Sequence, residues 1–132
     1  MTTDTWVPAQ ATPDVIAPLA LEKMIAAGHN DKPNITILAD GTIDTCRYLM
    51  QKDLPFWQKN TESLNETDMI ALIRFFTVAE EADTRWHGGE TSPVIYINKI
   101  LRKRGHKLDK NLLLWIKANS SNQFLPNGPI TL

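Results

Sequence analysis

Between Leu64 and Asp83 the chain places apolar residues three and four positions apart. Met69, Leu72, Ile73, Phe75, Phe76, Ala79 and Ala82 then share one broad face of a helix, with Arg74, Thr77 and Glu81 opposite. Asn65 is suited to cap this helix, Asp68 stands where the reciprocal half of a capping box belongs, and Leu64 with Met69 matches a hydrophobic staple. An apolar arc this wide meets several neighbours, so the helix is expected at the centre of the fold.

The same period recurs on either side. Pro18 near the first turn and Gly28 beyond the end bound a short helix whose stripe is Leu21, Met24 and Ile25. From Asn34 to Thr45, Ile35 and Ile37 alternate with Thr36 and Leu38, and Asp40-Gly41 is a tight-turn pair. This predicts a small β-hairpin near 35–45, with a helix capped by Asp44 through "TCRYLMQK" as the alternative. "LPFWQKN" reads as a loop or one helical turn led by Pro55. Ser92 caps and Pro93 begins a helix that runs to Arg104 and stops at Gly105, its stripe being Val94, Ile97, Ile100 and Leu101. Asp109 caps a last helix, "KNLLLWIKANS", and the tail is expected to lie against the domain through Phe124 and Leu125. Together these elements predict a mainly α, compact single-domain bundle of about five helices over 18–132. A flexible N-terminal arm precedes it at 1–17, where Pro8 and Pro13 disfavour regular structure and Trp6 and Val7 are the residues able to dock.

Composition narrows the class. The 132 residues, 42% hydrophobic and 22% charged, suit one globular domain with one core. No apolar run approaches the roughly 20 residues that cross a bilayer, and the N-terminus lacks the basic start and apolar stretch of a secretory signal. The lone Cys46 leaves no internal disulfide and no multi-cysteine zinc site, so a cytoplasmic, non-membrane protein is expected.

Charge changes the picture more. The net charge of −1 divides into 7 basic and 14 acidic residues over 1–98, a balance of −7, and 7 basic and 1 acidic over 99–132, a balance of +6. Either the halves neutralise one another in the fold, or the basic one is a binding patch. Lys99, Arg102, Lys103, Arg104 and Lys107 form its centre. Cations near a helix C-terminus complement the macrodipole by about 0.3–1 kcal/mol each, but four of them and His106 exceed that need. An anionic partner, phosphate backbone or acidic protein, is the functional alternative. The outline of helix, glycine turn and helix resembles a DNA-reading helix-turn-helix. However, Leu112, Leu113, Leu114, Trp115 and Ile116 wrap the second helix in apolar surface, where a reading helix needs polar side chains.

Other constellations are weaker. Glu80, Glu81, Asp83, His87 and Glu90 gather metal-type ligands in "EEADTRWHGGE" without a recognised spacing. Cys46 has no nucleophile context, and "ADGT" is a turn and not a phosphate loop. No catalytic residue, metal ligand or cofactor is assigned. Trp86, Ile95 and Tyr96 stand out as interface candidates, with Tyr96 beside Lys99 able to support base stacking. The chain therefore reads first as a small cytosolic protein-interaction or regulatory protein without chemistry of its own, docking on a protein partner or self-associating. The alternatives are a nucleic-acid-binding domain using the 99–110 cations, and an enzyme with a dispersed site.

Overall fold

A computed structural model describes residues 12–129. The chain is mainly helical: α1 (Pro18–Ala27), α2 (Gly41–Asp44), α3 (Leu54–Thr61), α4 (Glu66–Ala82), α5 (Pro93–Lys103) and α6 (Lys110–Asn119), joined by short 3-10 turns. No strand occurs among the described residues.

α4 is central, with α1, α5 and α6 seated on it. Asn65 caps it, its side chain accepting from Asp68 N at 2.8 Å. The Asp68 carboxylate does not complete a capping box; it faces His29 Nε2 at 3.4 Å instead, tying α4 to the end of α1. Met69, Leu72, Ile73, Phe75, Phe76 and Ala79 are fully buried as the periodicity predicts. Thr77, expected on the outer face, is also buried, because its hydroxyl donates to Ile73 O at 2.7 Å and carries no unmet hydrogen bond inward. Ala82, expected inside, is exposed. Edge-to-face contacts join Phe56, Trp57, Phe76, Phe75 and Trp86 through the core.

Gly28 ends α1 for a steric reason. Its φ of −95° is open to any residue, but a Cβ there would lie 1.8 Å from Ala71 O. The close approach of α1 to α4 thus depends on a missing side chain.

The hairpin expected near 35–45 is absent: Ile35–Ala39 is a 3-10 turn and Gly41–Asp44 the one-turn α2. A two-residue hairpin turn of the expected kind needs positive φ, whereas Asp40 has φ −73° and caps α2 by accepting from Thr42 N at 2.8 Å. The alternative, a helix capped by Asp44 through 45–52, is not formed either: Arg47–Gln51 is a 3-10 turn without a side-chain cap. "LPFWQKN" forms the two-turn α3 under an Asp53 cap. Of the expected arm, Trp6 and Val7 lie outside the described residues. Its last part is docked: Ile16 is buried, and Asn60 of α3 accepts from Ile16 N at 2.9 Å while donating to Asp14 O at 3.0 Å.

Candidate anion-binding corner

α5 begins on a buried carboxylate. Ser92 caps the helix, its Oγ accepting from Val94 N at 3.2 Å while the hydroxyl hydrogen-bonds Glu80 Oε2. Glu80 Oε1 accepts from Gly88 N at 3.0 Å and Asn122 Nδ2 at 3.3 Å. One side chain thereby joins the end of α4, the 83–92 loop, the start of α5 and the C-terminal segment. Burial pushes the Glu80 carboxyl above its ordinary value of 4.5, against the opposing pull of these donors.

The C-terminal segment then crosses α5. Asn98 donates to Pro126 O at 3.1 Å, Leu125 and Pro126 are buried, and Gly128 sits against Ile95. As the apolar spacing of the tail predicts, Leu125 is interior and Phe124 half-buried. The segment covers a residue expected to be free. Ile95 is 1% exposed, Trp86 is 0% exposed against Phe75, and Tyr96 is half-buried against the core. Trp86 and Ile95 therefore present no surface to a partner in this structure, because distant segments fold over both.

The other end of α5 is open. The helix stops at Gly105, whose φ of +82° suits a residue without a side chain; His106 N bonds Leu101 O and Gly105 N bonds Arg102 O, both at 2.9 Å, in a Schellman arrangement. The chain turns, and Asp109 caps α6 by accepting from Leu112 N at 2.8 Å. Lys99, Arg102 and Lys103 lie one turn apart on the outer side of α5, opposite buried Ile97 and Leu101, and all three are exposed, as are His106, Lys107, Lys110 and Lys117.

Arg104 differs from its neighbours. Its Nη1 donates to Leu64 O at 2.8 Å and its Nη2 to Thr61 O at 2.9 Å, with Glu66 at 3.8 Å. It closes the end of α3 and takes a structural role. None of Lys99, Arg102, Lys103, Lys107, Lys110 or Lys117 forms an ion pair with a described residue.

α6 is less buried than its composition predicts. Leu112 and Ile116 are interior, but Leu114 is 59% exposed, and the outer face carries Lys110, Asn111, Leu114 and Lys117. The apolar run thus forms a ridge. Leu113 lines one cleft, of about 270 Å³, with Asn98, Arg102, Lys107, Leu108 and Asn127. Trp115 lines another, of about 520 Å³, between α4 and α6, where Arg74, His106, Lys107, Asp31 and Asp109 also face the space. Lys107 borders both. Sequence reasoning missed Arg74, Asp31 and Trp115 as site residues. Trp115 read as core, and nothing local signals that α4 and α6 hold Arg74 and Trp115 to one space.

The acidic constellation is occupied otherwise. Glu81 accepts from Ser121 N at 2.8 Å, Asp83 pairs with Arg85 at 2.7 Å, and no group of three or more His, Cys, Asp or Glu among the described residues is arranged to hold a metal ion. Burial raises the Cys46 thiol pKa. No described helix is long and apolar enough to cross a membrane. No family model, no curated protein and no solved structure matches the chain.

Proposed function

We propose that this protein is an interaction domain that acts by binding, with the basic α5–α6 corner as its working surface and an anionic macromolecule as its partner. One observation carries the reading. Folding has engaged Arg104 but left Lys99, Arg102, Lys103, Lys107, Lys110 and Lys117 exposed and without a carboxylate among the described residues. Clustered like charges repel one another across a few ångströms, so a fold that leaves them together favours any polyanion that relieves the repulsion. Burial of Trp86 and Ile95 removes two of the apolar anchors on which an uncharged protein partner would rest.

Retention on immobilised heparin tests this. The protein is expected to bind at low salt and elute as salt rises, because each neutralised anion releases a counterion. The triple variant Arg102→Glu, Lys103→Glu, Lys107→Glu is expected to flow through, and Lys59→Glu on α3 to behave as the parent. Flow-through of the parent at low salt, or unchanged retention of the triple variant, would refute the reading.

A further inference from the structure

We infer that the cleft between α4 and α6 accepts an unpaired nucleobase, so that the polyanion fitted by the corner is a single-stranded nucleic acid; this rests on the proposed anion-binding role of the corner. Arg74 is the first reason. It is half-buried in the middle of α4, faces the cleft, and has no ion pair or hydrogen-bond acceptor for its side chain among the described residues. A guanidinium drawn partly out of water without a bonded acceptor is unfavourable, and a neutral base entering the cleft supplies one at a ring nitrogen or carbonyl oxygen. The second reason is Trp115. Its indole Nε1 donates to Asp31 O at 2.9 Å, which fixes the ring against the loop after α1 as one wall of the space. A held aromatic ring is a stacking platform that any base can use.

The acids in the cleft decide the class. Asp31 and Asp109 both line it, and Asp109 uses only Oδ1 to cap α6. Carboxylates among cations repel the side chains of an acidic peptide. They accept hydrogen bonds from the exocyclic amino groups on base edges. The volume of about 520 Å³ lies within the range of small-ligand pockets. Lys107 on the cleft wall, with Lys103 and Lys110 outside it, continues the positive surface beyond what one phosphate needs, as a strand of several nucleotides requires. A base in a duplex has its edge paired and its faces stacked, so entry favours a single strand.

The test compares four fluorescent probes of equal charge by anisotropy at low salt: a mixed-sequence single-stranded oligonucleotide, the same backbone without bases, a duplex of half the length, and poly-glutamate. The full chain is expected to bind the base-bearing strand about tenfold or more tightly than the base-free backbone, with the duplex and the peptide weaker still. Trp115→Ala and Arg74→Gln are each expected to weaken the strand by roughly tenfold and to leave the base-free backbone nearly unaffected, with circular dichroism confirming the fold. Equal affinity for strand and base-free backbone in the parent protein, which needs no variant, overturns the inference while the corner's role stands. Tighter binding of the duplex or of poly-glutamate overturns it too. Failure to bind any of the four removes both readings.

Discussion

Glu80 shows how one buried side chain writes a pH dependence into the protein. Its carboxyl is raised by burial, so between 4.5 and the higher native value the folded chain holds a proton that the unfolded chain has released. Stability from this group is therefore greatest below 4.5 and is lost as pH rises through the native value. Asp40, Glu81 and Asp83 are shifted down by hydrogen bonds, chiefly from Lys23, Ser121 and Arg85 respectively, and act in the opposite sense. The informative measurement is thus a difference. Urea unfolding of the parent and of Glu80→Gln across pH 4 to 8 is expected to show a fall in the parent that the variant lacks; parallel profiles would rule this out. The buried indole N–H groups of Trp57 and Trp86 have no hydrogen-bond partner among the described residues, a sign that their rings hold their places through apolar contact.

Among the helices, the α1–α4 contact is the least tolerant. A side chain at Gly28 meets backbone at Ala71, which cannot yield as a flexible side chain does. Gly28→Ala is expected to cost about 3 kcal/mol or to prevent folding, read from the urea midpoint. Gly105→Ala, with nothing within 4 Å of the added carbon, is expected to cost only the strain of its positive φ, about 1 kcal/mol. A smaller loss at Gly28 than at Gly105 would show that α1 shifts away from α4 freely. Both helix ends were legible as glycine stops; only the packed structure separates a glycine needed for its backbone angle from one needed for its size.

Across the assembled chain, the basic residues fall into two kinds that look alike in sequence. Arg104 closes α3, so Arg104→Gln is expected to cost about 1 kcal/mol, after allowance for its partial exposure to solvent. Lys103→Gln with Lys107→Gln removes two exposed like charges and is expected to change stability by less than about 0.5 kcal/mol. The same pair is expected to lose affinity for heparin, which Arg104→Gln retains. Urea midpoints together with elution salt concentrations check both halves; loss of stability in the lysine pair would mean that those cations are matched within the molecule. All five cations of the charge run are exposed in the structure, Arg104 alone being engaged with backbone carbonyls, whereas Trp86 and Ile95 among the three interface candidates are interior. Charge is readable because it resists burial at nearly any site. The position of an apolar residue is not, since its cover comes from elsewhere.

Local chemistry marked out Asn65, Ser92 and Asp109 as caps, the stop at Gly105 and the buried stripe of α4, because each depends on groups within about one helical turn. The sorting of apolar side chains between interior and cleft wall followed different rules. Leu114 stands out in water, Trp115 lines a space with Arg74 and Asp31, and Ile95 lies beneath a segment from the far end of the chain. Those outcomes belong to contacts between residues remote in sequence, where the free energy of burying a side chain depends on which surface reaches it, and no periodicity encodes that surface.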